Sequence, residues 1–240
     1  MKFLKILAFF FSLLLISCSS EDAQNYHNNS GFSDNKFAEK KYQRLFNSLY
    51  IRIALDSKKP IQALNYFMED ISNINDERLF RKVSEIAISN YRYSDALIIS
   101  KAWNDINRTP ESLKFGLLSA LEVGDFVSAK EYFQNYLEIT NSKSKIDYSK
   151  LFFYLIENKN RLNVISFFED QLNDNFSRDF AIAFIELIYS YNMSIDVIQL
   201  IDKIQHYNDR NLIRLYASSL VQIGDYESAE KALKSYLTGK

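Results

Sequence analysis

One phrase occurs twice in this chain. Leu121-Glu122-Val123-Gly124-Asp125-Phe126-Val127-Ser128-Ala129 returns 100 residues later as Val221-Gln222-Ile223-Gly224-Asp225-Tyr226-Glu227-Ser228-Ala229. Both read Gly-Asp-aromatic-x-Ser-Ala. Both run on into apolar residues at helical spacing: Tyr132, Phe133, Tyr136 and Leu137 after the first, Leu233, Tyr236 and Leu237 after the second. Self-similarity at a fixed distance is the signature of a repeat architecture. Taking the small or apolar residue after each expected turn as a marker fills the gap with Ala63, Ala96, Ala129, Val164, Val197 and Ala229, at spacings of 33, 33, 35, 33 and 32 residues. Four positions on, a large apolar residue recurs as Phe67, Phe133, Phe168, Ile201 and Leu233, with Ser100 the departure in the second unit. Units four and five replace the turn Gly-Asp by Lys159-Asn160 and Tyr191-Asn192.

Each unit holds two stretches of roughly 12–16 residues with apolar spacing near 3.6, the period of an amphipathic helix. The expected pairs are 38–56 and 60–72, 76–91 and 93–104, 110–123 and 125–139, 147–158 and 161–173, 178–191 and 194–206, and 209–223 and 225–238. Thr109-Pro110-Glu111 is a helix start, with Thr as N-cap, Pro at the first helical position and an acid in the first turn. Ser177 before Arg178-Asp179-Phe180 is another. Gly124 and Gly224 suit a tight helix-helix turn, and Asp125 and Asp225 then cap the helix that follows. Only 5 Gly and 2 Pro argue against an all-β chain, which needs many tight turns. The fold class expected is all-α. One helix pair cannot cover its own apolar face, so the units stack and share a core.

Period and pattern resemble the tetratricopeptide (TPR) repeat, a helix-turn-helix unit of about 34 residues. The likeness covers residues 37–240, closest in units three and six and loosest in four and five. It implies a TPR-like solenoid of about six repeats. Another α-solenoid type, or a non-repetitive helical domain, is the alternative.

The N-terminus carries an address. Lys2 and Lys5 precede a greasy run from Ile6 to Ile16, the length of a secretory h-region and short of the roughly 20 apolar residues that span a bilayer. Leu15-Ile16-Ser17-Cys18 resembles the lipobox of bacterial lipoproteins, and Cys18 is the chain's only cysteine. The resemblance implies that residues 1–17 are a cleaved signal peptide. Cys18 then becomes the first mature residue, with a diacylglycerol on its thiol and an acyl chain such as palmitate on its amine. Two or three chains anchor a protein where one is marginal. Ser19, in place of Asp, implies the outer membrane, with the body facing the periplasm. A plain secretory signal, or an uncleaved anchor, is the alternative. Residues 18–36 are rich in Ser, Asn, Asp and Gln and poor in large apolar groups, which reads as a disordered tether. His27 lies within it.

Little in the chain suggests chemistry. A single Cys excludes an internal disulfide, and with only 2 His a zinc site has few ligands to draw on. No nucleophile elbow, phosphate-binding glycine loop or metalloprotease motif is present. Removing Lys2 and Lys5 leaves 27 basic residues against 30 acidic ones, a mature charge of about −3 that offers no pull on nucleic acid. Glu69-Asp70 and Glu169-Asp170 occupy equivalent places in units one and four and read as solvated charge. The 19 Phe and 16 Tyr read as core, as does Trp103, and His206 reads as a capping or surface residue. No reaction and no cofactor are expected.

The TPR likeness implies that the first helix of each unit lines a partner-binding groove. By register the groove positions are Arg52, Arg81, Glu85, Lys114, Glu122, Phe153, Glu157, Glu186, Tyr189 and Arg214. Their mixed charge suits a protein segment bearing both signs. The Lys/Asn clamp by which some TPR domains hold acidic C-termini is not evident. In the last helix Ala229, Ala232, Leu233, Tyr236 and Leu237 form a face that would receive a seventh unit, so a partner or a second copy is expected to dock there. The function these features imply is a membrane-anchored scaffold or adaptor in a bacterial envelope assembly, whether outer-membrane, pilus or cell-wall machinery. An envelope enzyme, or a small-ligand carrier, on the same fold is the alternative.

Overall fold

The computed structural model describes residues 31–141, 146–174, 177–204 and 209–238. The signal peptide, Cys18, His27, His206 and most of the tether lie outside these residues. The chain divides into two compact units, Met1–Tyr42 and Gln43–Lys240. Of the first, the described residues 31–42 are the start of helix α1, Gly31–Asp56, which begins seven residues before the expected position 38 and takes in residues assigned to the tether. Lys36, Ala38, Glu39, Lys40 and Lys41 are good helix formers and account for extension back to residue 36, whereas nothing in Gly-Phe-Ser-Asp-Asn at 31–35 explains the further turn.

The second unit is all-helical among its described residues. After α1 come α2 (Pro60–Glu69), α3 (Glu77–Ser89), α4 (Tyr93–Ile106), α5 (Pro110–Val123), α6 (Phe126–Asn141), α7 (Tyr148–Phe153), α8 (Arg161–Asp174), α9 (Arg178–Ser190), α10 (Ser194–Ile204), α11 (Arg210–Gln222) and α12 (Tyr226–Thr238). Packing is between neighbours: α2 on α3, α3 on α4, α4 on α5, α5 on α6, α9 on α10, α10 on α11 and α11 on α12. Alternate helices also meet, α3 with α5, α7 with α9 and α9 with α11. Such nearest-neighbour stacking is the packing of a helical-repeat solenoid.

The repeat is most regular in the backbone. Lys58, Tyr91, Gly124, Asn192 and Gly224 all have positive φ, between 56° and 86°. The amide of each bonds the carbonyl three residues back, and the amide after it bonds the carbonyl five back, as from Lys59 to Ala54, Arg92 to Ala87, Asp125 to Ala120 and Asp225 to Leu220. These paired bonds are the Schellman C-cap, which satisfies carbonyls that a helix end leaves open. Two of the five units place Gly there, where the left-handed backbone costs least. In the other three, Lys, Tyr and Asn hold it at some cost in strain. The fourth unit has no such residue.

All six marker residues are buried, Ala229 included. Small side chains there let the two helices of a pair approach. Phe67, Phe133, Phe168 and Ile201 fill the space one turn on, and Ser100 is buried in its place, whereas Leu233 is exposed. Gly116 serves the same end in α5: a Cβ there would lie 2.4 Å from the ring of Tyr132 on α6. Three apolar clusters result, one over residues 51–103 around Phe67, Phe80 and Trp103, a second over 113–215 around Phe133, Phe152, Phe168, Phe180 and Phe184, and a small third of Ala217, Leu220 and Ala229. Phe115 reaches from α5 to the first, its ring 6.1 Å from Trp103.

Helix starts follow the sequence closely. Thr109 and Ser112 form a capping box. Ser177 accepts the amide of Phe180, and Asp76, Asp147 and Asp209 cap α3, α7 and α11. Asp125 and Asp225 accept the amides of Ser128 and Ser228 at 3.0 Å. One helix differs. The expected helix 147–158 is only Tyr148–Phe153. Beyond it the chain turns tightly, with amides of Tyr154, Leu155 and Asn158 bonding carbonyls three residues back. The reason lies in what holds residues 154–160.

Candidate functional site

Glu122 lies in the last turn of α5, and its carboxylate accepts the backbone amides of Lys159 at 2.6 Å and Asn160 at 3.2 Å. Asn163 donates its amide to the carbonyl of Leu121 at 3.0 Å. The phenol of Tyr191 donates to the carbonyl of Leu155, and Arg161 donates to the carbonyl of Tyr191 at 3.3 Å. Amides and a carbonyl that a continuing helix would use internally are thus taken by other elements. The 154–160 segment is an ordered break, fastened to α5 on one side and to the end of α9 on the other.

That break presents an apolar platform. Phe153 is 71% exposed, and Tyr154 and Ile156 are exposed beside it. With Glu85 and Ile88 of α3, Tyr91, Tyr93 of α4, and Phe115, Leu118 and Glu122 of α5, they line a cleft of about 670 Å³. Cations sit on its aromatic rings: Lys159 Nζ lies 3.4 Å from the centroid of Tyr91, and Lys114 Nζ 3.7 Å from that of Tyr154. Such contacts add to affinity for aromatic surface and hold the rings in place. The Tyr93 phenol is pushed up to about 12, by burial first and then by the charge and hydrogen bond of Glu122. Burial likewise pushes the Tyr191 phenol up, against the attraction of Arg161. Neither tyrosine is poised to lose a proton near neutrality. The cleft offers area, aromatic faces and mixed charge.

Of the positions expected in a groove, Glu85, Glu122, Phe153 and Glu157 come together here. Arg81 stands on the same helix as Glu85 but is ion-paired with Glu111 at the start of α5, and Arg52 is paired with Asp76 at 2.7 Å. Lys114 faces Tyr154. Glu186 lines a separate cleft of about 380 Å³ with Asp147 and Asp179. Tyr189 and Arg214 line a third, of about 910 Å³, between α11 and α12. Nine of the ten positions therefore fall among three clefts and two inter-helix ion pairs, and the tenth, Lys114, lies over the ring of Tyr154. Glu122 acts here as the fastening of residues 159 and 160. Tyr91, Tyr154 and Ile156 are not among the expected positions, and Lys159 is marked only as a turn residue of unit four. The signal for Tyr154, Ile156 and Lys159 is the missing Gly-Asp of unit four.

Among the described residues no group of three or more His, Cys, Asp or Glu is placed to hold a metal ion, and no helix is long and apolar enough to cross a membrane. No protein-family model and no curated protein matches the sequence.

Proposed function

We propose that this protein is a bacterial lipoprotein, held on the outer membrane by lipid on Cys18, whose TPR-like array of about six units is a scaffold or adaptor in an envelope assembly. The central cleft binds a segment of a partner protein. The observation that carries this reading is the exposure of Phe153, Tyr154 and Ile156 on a segment anchored by Glu122 and Tyr191. Large apolar side chains held rigidly in solvent lose little entropy on binding, and aromatic anchors of this kind dominate interface energetics. Glu85, Glu157 and Lys159 around them suit a segment with both charges and make register specific. The repeat spacing and the recurring C-cap support the TPR-like reading, and the lipobox resemblance supports the anchor. We assign the chain no reaction.

The test is a pull-down of the full-length protein from detergent-solubilised membranes, with Phe153→Asp and Cys18→Ala variants. The reading expects one or two stoichiometric envelope proteins, lost with Phe153→Asp. It expects Cys18→Ala to leave the membrane fraction. Equal recovery with wild type and Phe153→Asp would remove the cleft from the account.

A further inference from the structure

The cleft of about 910 Å³ between α11 and α12 lies apart from the central one. We infer that it is a slot for an amphipathic helix of a partner protein, acidic in its first turn, seated as the first helix of a further unit. This inference stands apart from the central cleft, which shares no residue with it.

The chain supplies its own template. The phrase repeated 100 residues apart makes Leu233 the counterpart of Phe133, Tyr236 of Tyr136, and Leu237 of Leu137. Phe133 is 3% exposed, its ring 5.4–6.0 Å from those of Phe167, Phe168 and Phe180 on the helices that follow. Leu137 also packs on that core. Leu233 is 43% exposed and Leu237 is 80% exposed. The same helix face that later units bury in the middle of the array borders an open cleft here. Burying a leucine side chain contributes in the way any core residue does, so an apolar helix face is what fits.

Charge selects which helix. Where first helices of successive units meet, an Arg on one pairs with an acid at the start of the next: Arg52 with Asp76, Arg81 with Glu111, Arg178 with Asp209. Arg178 opens α9, and Arg210 opens α11 at the equivalent place. Arg210 and Arg214 both line the cleft, and among the described residues neither has an ion pair. An Asp or Glu in the first turn of an incoming helix would complete the series. A second copy of this chain fits worse. Its α1 has an apolar stripe of its own in Leu45, Phe46, Leu49 and Ile53. Yet α1 as a whole carries Lys36, Lys40, Lys41, Arg44 and Arg52 against Asp34, Glu39 and Asp56, so the one acid of its first turn, Asp34, is followed at once by a net positive run that would set like charge on Arg210 and Arg214.

The probe is a synthetic helical peptide of the 13-residue length of α11, with leucine at helical spacing and two acids in its first turn. A matched peptide carries lysines there. Fluorescence anisotropy against the full chain in detergent should show binding of the acidic peptide, with the lysine peptide at least about fivefold weaker. Arg210→Glu with Arg214→Glu should reverse that order, and Leu237→Asp should abolish binding. Leu237 is exposed enough that the substitution leaves the fold intact, which circular dichroism would verify. Phe153→Asp should leave peptide binding unchanged. Failure to bind, equal binding of the two peptides, or indifference to Leu237→Asp would overturn the inference. So would self-association, measured by light scattering, that Leu237→Asp removes, since a second copy would then be the occupant.

Discussion

Replacing Glu122 should loosen residues 154–160 without unfolding the array. The carboxylate accepts two backbone amides, at 2.6 Å and 3.2 Å, and the Tyr93 hydroxyl. A hydrogen bond to a charged group contributes about 1.5–3 kcal/mol net. Lys159 is exposed, so water can replace part of the loss, and the lower end of that range applies to each amide. Glu122→Gln keeps one acceptor oxygen and loses the charge, at a local cost of about 1.5 kcal/mol. Glu122→Ala loses both bonds, at about 3 kcal/mol. In a nearest-neighbour array such a loss is read locally, because a global midpoint averages over units that open separately. The assay is amide hydrogen exchange at Lys159, because the Asn160 amide also donates to Asn158 Oδ1 at 3.0 Å and keeps that acceptor. Exchange should speed up about tenfold in Glu122→Gln and about a hundredfold in Glu122→Ala. The Tyr93 phenol should also titrate below its present value of about 12, since two of its causes are removed. Unchanged exchange at Lys159 in Glu122→Ala would refute the claim that Glu122 fastens this segment.

Three further outcomes follow from the geometry. Gly116→Ala places a methyl 2.4 Å from the Tyr132 ring, so that ring must leave its place or α5 and α6 must part, and urea denaturation should show a loss of about 1–3 kcal/mol despite the better helix propensity of Ala. Lys58→Gly should stabilise by up to about 1 kcal/mol and Gly224→Ala destabilise by about 1–2 kcal/mol, because both positions have φ in the left-handed region. Acid should weaken the helix starts. Burial raises the carboxyls of Asp76 and Asp209, but Arg52 and Arg178, with the capped amides, outweigh it and hold both below the usual carboxylate value. Their contribution is therefore present above about pH 3.9 and lost as pH falls through the depressed folded values. A urea midpoint followed from pH 5 downward should drop less in an Asp76→Asn, Asp209→Asn double variant than in wild type.

Much of the fold could be read from two kinds of residue. Markers such as Ala63, Val164 and Ala229 and turn residues such as Gly124 and Gly224 report on local geometry, which periodicity and backbone preference reveal directly. Non-glycine turns at Lys58 and Tyr91 kept the same backbone because the surrounding helices impose it. Residues 154–160 were harder, because their conformation depends on a carboxylate 37 positions earlier and a phenol 36 positions later. No local pattern encodes that pairing. The groove suffered in the same way: register placed Glu85, Phe153 and Glu157 in one cleft, but it could not say that Arg52 and Arg81 would be drawn into ion pairs with the next unit.

The central claim, that the aromatic cleft receives a partner, is most directly tested by site-specific photo-crosslinking in cells. A photoreactive residue is placed at Phe153, and a control at Val127, which is 83% exposed and lines none of the three clefts. The account predicts a discrete crosslinked partner from position 153, absent from position 127 and lost when Tyr154 is changed to Asp. The same adducts from both positions, or none from 153, would contradict it.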